Sequence, residues 1–310
     1  MLLITCIFLS GEVLYIESII KIIHEEFYLM EITTVNGIES IVVENSFSSA
    51  VISLLGGHIT SFVPAGKSDL LWMSNKSEFA PGKAIRGGVP VCWPWFGDKA
   101  PGLPKHGFVR NEMWYLRSHA DLADGSTVVT LEITDRDVKF FKPEFPFTLQ
   151  MTFYIGKHLE ITLTAINEGD VPVEAPVALH TYFSVGDIAD VKISGLEKVQ
   201  FSERVVGADP ALQTQHGDII IDREVDRLYV DTADTVVIRD AERKIIVEKS
   251  GSRTCVVWNP WIEKSSNLPD FADGGYRNMV CVEALAAFDD TRVLHPGVPV
   301  SITQKITLAE

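Results

Sequence analysis

Two residues that can move protons near neutrality stand in short apolar runs far apart in the chain. His180 lies in Leu179-His180-Thr181-Tyr182-Phe183, and Glu283 lies in Val280-Cys281-Val282-Glu283-Ala284. Histidine has an unperturbed pKa of ~6.5, which suits proton donation at physiological pH. A carboxylate inside a strand is rarely buried without a partner, and partial desolvation raises its pKa toward that of a working general base. The pair therefore reads as a general acid and a general base facing one another across a cleft. Each has a plainer reading when taken alone: a hydrogen-bonded core histidine, and a strand-end glutamate paired with an arginine.

Other candidates surround a loop-rich block at residues 80–114. Arg86 and Arg110 flank its Pro/Gly-rich stretch. If the loops fold back, both planar guanidiniums can converge on one phosphate or carboxylate; the alternative is two ordinary surface arginines. His106 could add a donor beside Arg110. Asp226, in Glu224-Val225-Asp226-Arg227-Leu228-Tyr229, could accept from hydroxyl groups or serve a local ion pair. Other signals fail. Ser61 stands where a P-loop ending in Gly66-Lys67-Ser68 needs glycine, and there is no HExxH, GxSxG or GxGxxG.

These residues need a scaffold, and the hydrophobic pattern supplies one. Leu149, Met151, Phe153 and Ile155 alternate with polar residues. After Gly156-Lys157-His158, the residues Leu159, Ile161, Leu163 and Ala165 do the same. Two alternating runs joined by a short Gly-containing loop predict a β-hairpin. Similar runs occur at 128–133, 236–238, 244–249, 255–258 and 298–308. Helical periodicity is nearly absent after residue 30, and strands do not alternate with helices, so a doubly wound parallel sheet is excluded. The expected fold is all-β: one large antiparallel β-sandwich domain over 31–310, with few short helices and long loops. The block 80–114 carries too much proline and glycine for regular ladders, but its aromatic residues imply packing.

Bulk properties narrow the partners. With 310 residues, 46% of them hydrophobic, the chain can bury a large core. A net charge of −15 and a pI near 5.0 argue against nucleic acid or an anionic membrane as partner. Any anionic ligand must be held by local cations. Cys6, Cys92, Cys255 and Cys281 show no CxxC spacing and mostly sit among apolar residues, so reduced core thiols and a cytoplasmic setting are expected. Residues 1–30 read as an added amphipathic helix, or as sequence upstream of a natural start at Met30. The apolar run at their beginning is too short for a membrane span.

Taken together, these segments resemble the aldose 1-epimerase (galactose mutarotase-like) superfamily, and within it the hexose-6-phosphate mutarotases. The resemblance covers 31–310 and is carried by Ile85-Arg86-Gly87-Gly88-Val89-Pro90-Val91-Cys92-Trp93-Pro94-Trp95-Phe96-Gly97, Leu103-Pro104-Lys105-His106-Gly107-Phe108-Val109-Arg110, the two proton-transfer segments, the segment of Asp226, and Trp258-Asn259-Pro260-Trp261. It implies a galactose mutarotase-like supersandwich with His180 as general acid and Glu283 as general base. It also implies that Arg86, His106, Arg110 and Asp226 surround the substrate, with the arginines at a 6-phosphate. Lys105 departs from the family pattern, which has a polar uncharged residue there. The implied reaction opens a pyranose: His180 protonates the ring oxygen while Glu283 takes the C1 hydroxyl proton, across a pyranose-sized gap. It calls for no metal and no organic cofactor, only a small phosphosugar, and the protein is expected to be a monomer. The rival readings are an epimerase for unphosphorylated aldoses and a non-catalytic carbohydrate-binding sandwich using Trp93, Trp95, Trp258 and Trp261.

Overall fold

The runs that alternate with period two become the longest strands. In a computed structural model, which describes residues 32–209, 211–232 and 235–309, Phe147–Ile155 and Leu159–Asn167 pair in register from Ile155 opposite Leu159 to Phe147 opposite Asn167. Every second residue of both is buried. The expectations for residues 1–30, and for Cys6, lie outside the described residues. The hairpin is central to a nine-stranded antiparallel sheet. Its order is Ile219–Ile220, Lys192–Ser194, Thr235–Arg239, Lys244–Ser250, Val300–Ala309, Leu159–Asn167, Phe147–Ile155, Thr127–Thr134 and Tyr115–Asp121. The outer face carries hydroxyl pairs across strands, Thr130–Thr152, Thr162–Thr303 and Thr164–Ser301, as a half-solvated pleat favours.

A second, eight-stranded sheet is antiparallel as well. It runs Gln213–Thr214, Gln200–Glu203, Val225–Val230, Thr254–Asn259, Met279–Ala286, Val177–Leu179 and Val91–Cys92, with Tyr182–Ser184 also paired to Met279–Ala286. Thr254–Asn259 and Met279–Ala286 are buried at every residue, so their apolar character is nearly continuous. Ile32–Val35, Ile38–Glu44, Ser48–Ser53 and His58–Pro64 form a four-stranded sheet, and Val173–Ala175 pairs Arg292–Leu294. The two large sheets meet through buried Gln304 of Val300–Ala309. It accepts from the Thr181 hydroxyl and donates to the Val282 carbonyl at 3.0 Å, both on the eight-stranded sheet side.

The one α-helix among the described residues, Trp261–Ser266, starts where Asn259 accepts from the Trp261 amide at 2.8 Å. No helix of the described residues is long and apolar enough to cross a membrane. The proline- and glycine-rich block is packed, as its aromatics implied. Trp93 lies 4.5 Å from the Phe147 ring and meets Phe108 and Phe145 edge-on. Gly107 closes this packing at φ 76°: a Cβ there would lie 1.8 Å from the Trp93 carbonyl oxygen, so no other residue fits. Cys92, Cys255 and Cys281 are buried free thiols.

Candidate active site

The eight-stranded sheet places the acid–base candidates by register. Leu179 is opposite Ala284 and Tyr182 is opposite Cys281, so the three-residue steps match and His180 falls opposite Glu283. The strand expected through His180 is interrupted there. His180 and Thr181 leave the ladder, and the His180 amide instead donates to the Pro90 carbonyl at 3.0 Å. On the next strand Val256 is opposite Glu283 and Trp258 is opposite Cys281; beyond it, Asp226 is opposite Trp258. Period two then sets His180, Glu283, Val256, Trp258 and Asp226 on one face. That face floors a cleft of about 220 Å³.

His180 Nδ1 lies 3.3 Å from Glu283 Oε1, with the two residues only 6% and 1% exposed. This corrects the expected pyranose-sized gap. The ring oxygen and the C1 hydroxyl of a pyranose are bonded to the same carbon, so the acid and base that serve them must be neighbours. The contact is close enough for an ion pair but is not aligned as a hydrogen bond, and Glu283 Oε2 has no partner either. Burial pushes the Glu283 carboxyl well above the usual carboxylate range, and the nearby Asp226 carboxylate adds to this; Arg204 and Arg110 act in the opposite sense. Burial also drives His180 well below its ordinary value, reinforced by Arg110 and Arg86. Burial thus opposes the charged form of each group. The His180 ring is stacked on Tyr182, with centroids 4.8 Å apart and planes at 6°, which fixes its plane.

The remaining predicted residues line the same cleft: Arg86, His106, Arg110 and Asp226 are all there. Arg86 forms a two-pronged pair with Asp270, Nε and Nη2 each at 3.1 Å, and donates to the Tyr182 hydroxyl at 3.0 Å. Burial works against its charge, but Tyr182 and Asp270 outweigh burial and hold the guanidinium above its ordinary pKa. The loop behind it is pinned by His58, whose Nε2 donates to the Gly87 carbonyl at 2.7 Å. Burial pushes His58 down to about 3, so it stays neutral. His106 Nδ1 accepts from the Gly97 amide at 3.2 Å, leaving its proton on Nε2 as a donor; burial, then Arg110 and His180, keep this ring neutral too. Arg110 donates to the Lys105 carbonyl at 2.9 Å, and its Nε is buried without a partner. Lys105 pairs with Asp98 at 3.1 Å. Burial, only partly offset by Lys264 and Arg204, raises Asp226 above the usual carboxylate range.

Sequence reasoning missed Arg204, Lys264 and Leu268 of the lining, and it missed Asp270 and Gln304 behind it. Of the four tryptophans considered for sugar stacking, Trp258 lines the cleft; Trp93 and Trp95 are buried against phenylalanines, and Trp261 packs on Tyr276. His180, Cys281 and Glu283 bring donor atoms within 4.8 Å of one another, a set that a borderline-soft divalent ion could use.

Residues 39–307 match the family described as Aldose 1-epimerase. The chain belongs to the aldose 1-epimerase family. It is 41% identical over 277 residues to a protein of Escherichia coli (strain K12) named "Putative glucose-6-phosphate 1-epimerase", covering 88% of this chain and 91% of that one. A protein of the same name from Cenchrus ciliaris is 34% identical over 280 residues, covering 86% and 83%. The crystal structure described as that of "a putative mutarotase (YeaD)" from Salmonella typhimurium superposes with a TM-score of 0.82 at 33% identity, covering 94% of this chain and 99% of the other. The fold is thus the galactose mutarotase-like sandwich, and this epimerase is an isomerase that interconverts sugar anomers. A purely sugar-binding sandwich is set aside.

Proposed function

We propose that the substrate is a hexose 6-phosphate, with glucose 6-phosphate foremost, and that His180 and Glu283 catalyse ring opening and closure. In this reading the pair carries one proton into the reaction. With that proton on the imidazole, His180 gives it to the ring oxygen while the Glu283 carboxylate takes the C1 hydroxyl proton. The C1–ring-oxygen bond breaks, leaving an aldehyde and a free hydroxyl. Rotation about C1–C2 and reversal of both transfers yield the other anomer. Such acid–base catalysis typically contributes ~10²–10⁴-fold, enough for a reaction that already proceeds in water. His106 and Asp226 serve the sugar hydroxyls, and Arg86 and Arg110 serve the anionic side of the cleft. The free buried thiols support a cytoplasmic setting.

One observation carries the phosphate. Arg86, Lys105, Arg110, Arg204 and Lys264 all line the cleft of a protein whose net charge is −15. A neutral sugar gives no reason for the lining to carry five cations against three carboxylates, Asp98, Asp226 and Glu283. Anomer exchange followed by NMR on glucose and on glucose 6-phosphate tests this reading. Exchange is expected to be at least tenfold more efficient for the phosphorylated sugar, about the 1.4 kcal/mol that one charge-assisted contact supplies. Equal efficiency would return the protein to the epimerases of unphosphorylated aldoses.

A further inference from the structure

Three of the five cleft cations are already neutralised: Arg86 by Asp270 at 3.0 Å, Lys105 by Asp98 at 3.1 Å and Lys264 by Glu224 at 2.7 Å. Arg110 is half-buried in the lining, with its Nη2 donating to the Lys105 carbonyl at 2.9 Å. Arg204 differs from all of them. It is exposed, and no carboxylate lies within ion-pair distance of it among the described residues. It follows directly on the strand Gln200–Glu203, and its amide donates to the Asp226 carbonyl at 2.7 Å, so its root is tied to the cleft wall.

Its guanidinium is also held in place. Arg204 Cζ lies 4.7 Å from the centroid of the Phe288 ring, and its Nη2 is 3.8 Å from where a Cβ on Gly97 would sit. Arg204 therefore lies between the Phe288 ring and the turn at Gly97, a residue of the cleft lining. Phe288 itself is unusual, a phenylalanine at φ 57° with 44% of its surface exposed. Left-handed backbone is costly for a bulky residue, and an exposed phenyl ring gains little from burial. Supporting a guanidinium face accounts for both. Ring contacts continue inward from Phe288 to Phe96 at 6.2 Å, to His106 at 4.7 Å and to His180 at 5.4 Å, so a chain of rings joins the support of the arginine to the histidine on the cleft floor.

A hexose bound with its ring oxygen and C1 hydroxyl at His180 and Glu283 carries its phosphate on a carbon outside the ring, and so away from the cleft floor. We propose that Arg204 is the specificity-determining residue of this epimerase, closing the mouth over the phosphate with the edge of its guanidinium while Phe288 supports its face. This rests on the hexose 6-phosphate reading above. The stacked ring leaves the planar N–H edge free for phosphate oxygens, which a lysine would reproduce only as a point charge.

Arg204→Gln and Arg204→Lys test it in the same exchange assay, with glucose, glucose 6-phosphate and inorganic phosphate as a competitor. Arg204→Gln is expected to raise KM for glucose 6-phosphate about 10- to 100-fold, as loss of a charged hydrogen bond does. The loss in kcat/KM should be at least tenfold larger for glucose 6-phosphate than for glucose, because any effect of the missing charge on Glu283 is common to both sugars. Inhibition by inorganic phosphate should weaken by the same factor, and Arg204→Lys should restore part of both. An unchanged preference for the phosphosugar in Arg204→Gln, with phosphate still competing, would overturn the assignment and leave the phosphate to Arg86 and Arg110. Wild-type protein that fails to distinguish the two sugars would remove the hexose 6-phosphate reading itself, a result separable from the first.

Discussion

The two large sheets are built from the same kinds of strand, yet they treat polar residues in opposite ways. In the nine-stranded sheet, Phe147–Ile155 and Leu159–Asn167 bury every second side chain, and the polar residues between them face outward, where hydroxyls pair across strands. In the eight-stranded sheet, Thr254–Asn259 and Met279–Ala286 are buried on both faces. A polar group there has no water to fall back on, and each must find a partner. Thr254 donates to the Leu285 carbonyl, and Asn259 donates to the carbonyls of Tyr276 and Met279. Glu283 is the exception, with one oxygen beside His180 and the other unpaired. Among partnered neighbours, the unpartnered carboxylate is the one proposed here to exchange a proton with the substrate.

The comparison is tested most severely by Glu283→Gln. Catalysed anomer exchange should fall by ~10²–10⁴-fold, the range of one acid–base group. Stability should not fall with it. Because the folded-state pKa of Glu283 is raised above 4.5, its ionisation opposes folding. Wild-type stability relative to Glu283→Gln should therefore decline as pH rises from about 4.5 toward the raised folded value. Melting temperatures across that window check the sign. A gap that narrows with rising pH would mean that the carboxylate is stabilised after all, and the contrast between the sheets would fail.

Phe153→Ala acts on the other side of the contrast. Phe153 is fully buried on the inner face of the nine-stranded sheet, far in sequence from any cleft residue. Its loss should cost about 3–5 kcal/mol of stability through lost burial and a residual cavity. At temperatures where the variant stays folded, kcat/KM should be that of the wild type. Denaturant unfolding and the exchange assay together check both halves.

What was legible in the sequence follows the same division. The hairpin at residues 147–167 could be read because one of its faces meets solvent, which leaves period two in the hydrophobicity. His180 and Glu283 could be read by residue type, since ionisable groups in apolar runs need a reason. Their separation could not, because it depends on which residues of two distant segments fall opposite in the ladder. Asp270, bonded to Arg86 from 184 positions away, and Gln304, bonded to Thr181 from 123 away, left no local signal. Arg204 sits in a polar stretch with no periodicity, and only the folded chain brings it against Phe288 and the cleft.

Gln304 is where the division between the sheets breaks down, and it gives the smallest predicted effect. It belongs to a strand of the nine-stranded sheet but lies on the inner face with Ile302 and Ile306, 1% exposed. Its two amide atoms reach across to Thr181 and Val282, the residues next to His180 and Glu283. The prediction is that it positions the proposed pair without touching the substrate. Gln304→Leu keeps the volume but leaves the Thr181 hydroxyl without its acceptor, at a cost of about 1–3 kcal/mol. The catalytic pair should loosen by well under an ångström, lowering kcat by roughly tenfold or less, because a full ångström costs ~10². KM for the sugar should not change. Thr181→Val should have the same effect, and the double variant should be little worse than either, as expected for residues in one network. Additive losses, or a loss of stability with kcat intact, would show that the nine-stranded sheet supports the fold without setting the geometry of the acid–base pair.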